Sequence, residues 1–326
     1  MKRIGNLYGK IVSLENLRHA DEQARKGKMR SYGVKRHDNN RDANIYKLQN
    51  LLEEGAYKTS KYHIFSMVTD AGKKRTIYRL PYYPDRIVHH AIMNVMEPIW
   101  TNIFTRDTYS CIKGKGIHGV FKKLKSDLKD IENTQYCLKL DIKKFYPSID
   151  HDILKQLVRR KIKDVKLLKL LDEIIASAPG VPIGNYLSQF FANIYLTYFD
   201  HYLKEDLGAK YYYRYADDIV ILHKDKAYLH DFFKKIEHYL NTHLKLEVKD
   251  NYQVFPVEAR GIDFVGYVFR HTHIMLRKRI KQSFARKVSK LNKKDISSSE
   301  FKAQTCSYEG WAKHCNSKHL LKTLYR

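Results

Sequence analysis

The stretch Tyr211-Tyr212-Tyr213-Arg214-Tyr215-Ala216-Asp217-Asp218-Ile219-Val220-Ile221-Leu222 constrains the fold more than any other part of this chain. Two runs of aromatic and β-branched residues meet at adjacent acids, which predicts a β-hairpin with both aspartates at its tip. Carboxylates placed side by side repel each other unless something positive sits between them. The arrangement therefore asks for a divalent cation and points to metal-assisted phosphoryl chemistry. A lone Asp-Asp pair is ordinarily a solvated turn; the apolar runs on both sides set this one apart.

A second aspartate belongs with the pair. Residues Tyr136-Cys137-Leu138-Lys139-Leu140-Asp141-Ile142 alternate, with bulky side chains at even positions and Asp141 among the odd ones, so a strand would bury one face and present Asp141 on the other. If this strand neighbours the hairpin, three carboxylates converge at one sheet edge. That is enough to hold two Mg²⁺ ions about 4 Å apart for in-line phosphoryl transfer.

The remaining pattern is mostly helical. Helical spacing is seen at Ile11, Leu14 and Leu17, and again at Ile45, Leu48, Leu51 and Leu52, with the basic segment Arg25-Lys26-Gly27-Lys28-Met29-Arg30 between them. A hairpin is expected from Tyr62-His63-Ile64-Phe65 through a turn at Asp70-Ala71-Gly72 to the basic return strand Lys73-Lys74-Arg75-Thr76-Ile77-Tyr78-Arg79-Leu80. Helices are expected from Asp85 to near Pro98, from Asp152 to Ile175, across Leu187–Leu196 and around 227–243, and a strand pair ends in Phe264-Val265-Gly266-Tyr267. This order predicts an α+β fold, a sheet backed by helices on one face. The final stretch, 277–326, holds 14 Lys and Arg against 3 acids, with Ile280, Phe284, Val288 and Leu291 at helical spacing and Ser297-Ser298-Ser299 as a polar linker.

Charge bears on the partner. With 61 Lys and Arg against 35 Asp and Glu, a net charge of +26, and 25 Tyr, 14 Phe and 2 Trp, the chain has cations for phosphates and rings for unpaired bases. The four cysteines, Cys111, Cys137, Cys306 and Cys315, fit no metal spacing, and the 16 histidines show none either. No run reaches the roughly 18 apolar residues of a membrane span. The expectation is a reduced, cytoplasmic protein with no membrane partner.

Tyr215-Ala216-Asp217-Asp218 resembles the polymerase metal motif of reverse transcriptases, and Leu140-Asp141-Ile142-Lys143-Lys144-Phe145-Tyr146-Pro147-Ser148-Ile149 resembles the aspartate motif that precedes it by 76 residues here. Arg75-Thr76-Ile77 through Pro81, Asp85-Arg86-Ile87-Val88 and Phe264-Val265-Gly266-Tyr267 fall in the family's order. The resemblance implies a right-hand polymerase: residues 1–60 a helical extension of the fingers, 61–135 fingers, 136–270 an antiparallel palm sheet backed by helices, and 271–326 a short basic thumb. It implies two Mg²⁺ ions on Asp141, Asp217 and Asp218 with the Ile142 backbone, and deoxynucleotide triphosphates met by Arg75 and Lys74. Relatives commonly carry an arginine where this chain has Ile112, and Lys113 and Lys115 are the candidate substitutes. Tyr146 takes the place of an aromatic gate against the ribose 2′-hydroxyl. Gly184 would let backbone approach the templating base, and Gly266 and Tyr267 occupy the primer-grip position. Lys278, Arg279, Lys281, Arg286 and Lys287 would grip template RNA and a DNA or RNA primer.

Ile183-Gly184-Asn185-Tyr186-Leu187-Ser188-Gln189 departs from the Gln-Gly and Ser-Pro of most relatives. The variant resembles reverse transcriptases of diversity-generating retroelements, which miscopy template adenines and work with a small basic ring-forming accessory protein. Ile183 in place of a long amide would loosen the geometry around the nascent pair, and the resemblance places Ile183, Gly184 and Gln189 at the nucleotide. Retron, abortive-infection and group II intron-like enzymes are the alternatives, as is a non-catalytic RNA-binding protein on a decayed polymerase fold.

Overall fold

The computed structural model describes residues 2–68, 72 and 74–325; the turn expected at Asp70-Ala71 and the cation Lys73 lie outside them. The chain forms two compact units, one from 1–112, 142–207 and 237–247, the other from 113–141, 208–236 and 248–326.

The first unit is mainly helical. Helix Leu14–Arg25 packs on Ile87–Thr101 and on Arg41–Glu53, because Leu17, Ala20, Ile45, Leu48, Ile87 and Ala91 recur at helical spacing and are all buried. One charge is enclosed with them: Asp21 accepts from Arg25 Nη2 at 2.7 Å and Arg41 Nε at 2.6 Å, and from the Tyr82 hydroxyl. The hairpin of β1 (His63–Val68) and β2 (Lys74–Arg79) is antiparallel, as expected, but β1 is exposed throughout. The helix expected to end near Pro98 runs on to Thr101. Proline there sits in the last turn, where only the Asn94 carbonyl loses an intrahelical donor. The helical patterns expected over 152–175 form two helices, His151–Arg159 and Val165–Ala176. Each has its own aspartate cap: Asp150 accepts from Asp152 N and Ile153 N, and Asp164 from Leu167 N.

The second unit carries a four-stranded antiparallel sheet in the order β4 (Tyr211–Tyr215), β5 (Asp218–His223), β3 (Tyr136–Asp141), β6 (Gln253–Pro256). The predicted hairpin and strand are both present. One expectation fails in detail: Cys137, on the strand face assigned to Asp141, is fully buried. Burial on that face falls off toward the aspartate end, where Lys139 and Asp141 are half-buried. The expected strand pair near 264–267 is part of a separate three-stranded sheet, β7 (Ile262–Phe264), β8 (Tyr267–Phe269) and β9 (Ile274–Leu276). Ser297 is no linker: its Oγ accepts from Glu300 N at 3.2 Å and caps helix Ser298–Ala312. The Ser-x-x-Glu spacing of a capping box was readable in the sequence. The four cysteines are free thiols, and no helix among the described residues is long and apolar enough to cross a membrane.

The turn between β7 and β8 places Val265 at φ 42° and Gly266 at φ 89°. A β-branched residue at positive φ is strained, and something must hold it. A Cβ on Gly266 would lie 2.3 Å from Trp311 Cζ3, so the turn is pressed against helix Ser298–Ala312. The Gly266 carbonyl accepts from Arg277 N at 3.0 Å, and the Tyr267 hydroxyl donates to the Trp311 carbonyl at 3.0 Å. Gly266→Ala is therefore expected to destabilise the protein by roughly 2–4 kcal/mol, from overpacking plus the left-handed backbone. The check is a urea titration, in which Gly55→Ala, at φ 67° with open space around it, loses only the backbone part.

Candidate active site

The sheet of the second unit sets the geometry. Asp141 is the last residue of β3 and Asp218 the first of β5, and the two are direct partners across the antiparallel ladder. Asp217 occupies the two-residue turn between β4 and β5, close enough to Asp141 for the charge of that carboxylate to act on it. The first turn residue, Ala216, is at φ 56°, a conformation usually left to glycine. Arg214 supports it: the guanidinium is fully buried and Nη1 donates to the Ala216 carbonyl at 3.1 Å.

Cations already stand among these carboxylates. Lys249 Nζ donates to Asp141 Oδ2, and its backbone N–H donates to the Asp141 carbonyl at 2.9 Å. Lys139 Nζ lies 3.9 Å from Asp218 Oδ1 and donates to the Asp263 carbonyl. Arg277 Nε donates to Asp263 Oδ1 at 2.5 Å, and its charge also acts on Asp218. The sequence reading missed Lys249, Arg214 and Arg277. Lys139 had a visible signal, since it lies two residues before Asp141 on the same strand face.

The cations do not complete the site. Asp141 Oδ1 and Asp218 Oδ1 are buried atoms with no hydrogen-bond partner, a costly state for carboxylate oxygens. Burial raises the Asp217 carboxyl to about 6, helped by the charge of Asp141. Burial raises Asp218 to about 7, with Asp141 and Asp217 adding to it and Lys139 and Arg277 opposing it. Hard oxygens short of positive charge suit Mg²⁺. As the side chains stand, no group of three or more His, Cys, Asp or Glu among the described residues is arranged to hold an ion. Asp141 must give up Lys249 before both its oxygens can turn to one.

The other predicted residues fall in both units. Ile142 is fully buried, leaving its backbone as the only polar part. Lys74 and Arg75 are exposed on β2 of the first unit, whereas Lys113 and Lys115 are exposed in a turn of the second. Tyr146 is half-buried in the short helix Phe145–Ser148, with its carbonyl accepting from Val181 N at 2.9 Å. The Ile183 carbonyl accepts from Tyr78 N at 2.8 Å. A Cβ on Gly184, at φ 122°, would meet the Tyr78 carbonyl at 2.4 Å, so this glycine's close approach is to β2. Gln189 is exposed on helix Ser188–His201.

Two residues expected at the nucleic acid make contacts inside the protein. The Tyr267 ring is fully buried against Phe121 and Trp311, where it braces the β7–β8 turn and faces no solvent. On helix Lys278–Leu291, Lys278, Arg279, Lys281 and Arg286 are exposed, but Lys287 is half-buried and bonded to Gln304 Oε1 at 2.6 Å.

The reverse transcriptase (RNA-dependent DNA polymerase) family matches residues 60–269. Protein YkfC of Escherichia coli (strain K12) is 27% identical over 263 residues, covering 67% of each chain. The retron Ec73 reverse transcriptase of Escherichia coli is 26% identical over 250 residues, 69% of this chain and 75% of that one. The group II intron-encoded protein LtrA of Lactococcus lactis subsp. cremoris is 24% identical over 221 residues, 64% of this chain and 35% of that protein. Among solved structures, Candida tropicalis telomerase in complex with a TWJ fragment of telomeric RNA superposes with a TM-score of 0.53 at 14% identity, covering 78% of this chain and 53% of that one. With the family match, this likeness gives the α+β right-hand polymerase fold. The chain spans about half of the telomerase chain and about a third of the intron-encoded protein.

Raised carboxyl pKa values carry a stability signature. The folded state binds these protons more tightly than the unfolded chain, so without metal stability falls as pH rises from about 4 through about 7. Asp217→Asn/Asp218→Asn is expected to melt higher than wild type in EDTA at about pH 8 and to lose that advantage at about pH 4. Mg²⁺ is expected to raise the wild-type melting temperature at about pH 8 and leave the double variant unmoved. Differential scanning fluorimetry across pH, with and without Mg²⁺, checks both.

Proposed function

The chain belongs to the reverse transcriptase family, and on that basis we propose that it is an RNA-directed DNA polymerase, extending a DNA or RNA 3′ end along an RNA template with deoxynucleotides. The observation that carries the reading is Asp141 facing Asp218 across the sheet, each with a buried unbonded oxygen, and Asp217 at the turn beside them. Asp141, Asp217 and Asp218, with the Ile142 backbone, are the residues assigned to two Mg²⁺ ions. Bound there, the ions supply the charge that eases deprotonation of a 3′-hydroxyl and departure of pyrophosphate.

The rest of the work falls to the chain's own groups. Lys139 and Lys249 keep the carboxylates together until the ions arrive. Arg75 and Lys74 are assigned to the triphosphate, since a guanidinium grips two phosphate oxygens at once. Lys113 and Lys115 are further candidates for it. The Tyr146 ring is assigned to excluding a ribose 2′-hydroxyl. Lys278, Arg279, Lys281 and Arg286 meet backbone phosphates and make binding salt-sensitive.

Within the family, Ile183 and Gln189 support a finer assignment: an error-prone polymerase of a diversity-generating retroelement, working with a basic accessory protein. An aliphatic side chain at 183 offers no hydrogen bond to the nascent pair, so discrimination between right and wrong nucleotides falls. The retron and intron-encoded relatives favour a second reading, an accurate enzyme of those types.

The test is Mg²⁺-dependent primer extension on an RNA template, with products sequenced. Wild type is expected to synthesise cDNA, and Asp217→Asn/Asp218→Asn to lose at least about a thousandfold in rate, as removal of charge-stabilising groups does. Errors concentrated at template adenines and reduced in Ile183→Gln support the retroelement assignment. Uniformly accurate products favour the second reading. Synthesis undiminished in the aspartate variant overturns the site itself.

A further inference from the structure

The segment 177–187 runs between helices Val165–Ala176 and Ser188–His201 of the first unit and takes its shape from bonds to other elements. Val181 N donates to the Tyr146 carbonyl at 2.9 Å, and the Ile183 carbonyl accepts from Tyr78 N at 2.8 Å. An irregular segment held in this way keeps its course only while those outside bonds last.

One side chain secures the end nearest Tyr146. His151, half-buried in the first turn of helix His151–Arg159, has Nε2 2.7 Å from the Gly180 carbonyl. A carbonyl only accepts, so Nε2 carries the proton and donates. Gly180 is at φ 58°, and a Cβ there would meet the carbonyl oxygens of both Tyr146 and Pro147 at 2.6 Å. The segment is thus pressed onto the backbone of the tyrosine assigned to the sugar, with His151 holding it there. His151 stands on a fixed base. The carboxylate of the preceding Asp150 accepts from Asp152 N and Ile153 N at 3.0 Å and from Lys245 Nζ at 2.7 Å, and Asp150 N donates to the Tyr195 hydroxyl at 3.2 Å.

The far end of the segment is fastened to the β1–β2 hairpin. Besides the bond to Tyr78, Asn185 Nδ2 donates to the Tyr62 hydroxyl at 2.8 Å, and the Tyr62 and Ser177 hydroxyls share a hydrogen bond of 2.7 Å. Tyr62 immediately precedes β1, and Arg75 and Lys74 lie on β2. A continuous run of bonds therefore joins His151 and Tyr146 to the strand that carries the cations assigned to the triphosphate.

We propose that His151 is a positioning residue for sugar selection: by pinning the Gly180 carbonyl it keeps the Tyr146 ring and the β1–β2 hairpin at one spacing, which a deoxyribose fits and a 2′-hydroxyl does not. In this role His151 acts through the segment it holds and not on the nucleotide. The selection of sugar rests on the polymerase reading; the pin itself does not.

The experiment is single-nucleotide primer extension by the full chain on an RNA template with Mg²⁺, giving kcat/KM for a deoxynucleotide and for the matching ribonucleotide. Wild type is compared with His151→Leu, which keeps bulk without a donor, and with His151→Gln, whose side-chain amide donates from a similar reach. His151→Leu is expected to lower the preference for deoxyribose by about three- to tenfold, the worth of one lost hydrogen bond, and His151→Gln to restore it. Hydrogen exchange in EDTA, where catalysis plays no part, is expected to quicken at the Val181 and Tyr78 amides in His151→Leu and to slow again in His151→Gln. A loss of rate equal for both sugars marks a residue that only stabilises the fold and overturns the proposal. Unchanged exchange at those two amides, or His151→Gln behaving as His151→Leu, overturns it as well. A wild type that synthesises nothing removes the polymerase reading and the selection role with it, while exchange at Val181 and Tyr78 still decides whether His151 holds the segment.

Discussion

The second unit answers to one electrostatic problem: three carboxylates gathered at the end of one sheet. Asp141 and Asp218 are ladder partners, so the backbone fixes their proximity regardless of what their charges prefer. The repulsion is met by cations from three places, Lys139 on the same strand as Asp141, Lys249 in the segment leading into β6, and Arg277, which bonds Asp263 and whose charge also acts on Asp218. Two oxygens remain unbonded even so. The sheet is therefore built around a charge imbalance it does not correct, the mark of a site that trades stability for function.

Two turns of the second unit carry backbone strain of another origin. Ala216 and Val265 adopt positive φ without being glycine, and each turn is held in place by a side chain. Arg214 fixes the first through the Ala216 carbonyl, and the turn containing the second is pressed on Trp311. Both turns owe their shape to packing, which leaves side chains and backbone oriented before any ligand arrives.

Local patterns made much of this legible. Alternation identified β3 and the β4–β5 hairpin, and the three aspartates could be placed from them because register and turn length leave little choice. What escaped notice was non-local or depended on context. Lys249 lies 108 residues from Asp141 in sequence, and nothing in its own neighbourhood marks it. Tyr267 and Lys287 were placed on a nucleic-acid surface by motif and composition, but one is core and the other is tied to Gln304. The break between His151–Arg159 and Val165–Ala176 and the start of Ser298–Ala312 were readable in principle from capping residues; apolar periodicity alone did not show them.

The interleaving of the two units bears on how the protein is made. Each is assembled from three stretches, and the first lacks its last piece until residue 247 has been synthesised. By then two of the three stretches of the second unit have also been made, and that unit waits for the C-terminal stretch, 248–326. Long intervening segments must be spanned before early helices meet their late partners, so closure is slow and apolar surface stays open meanwhile. Ile64, Met67 and Val68 of β1, exposed even in the folded chain, are among the first of that apolar surface to be made.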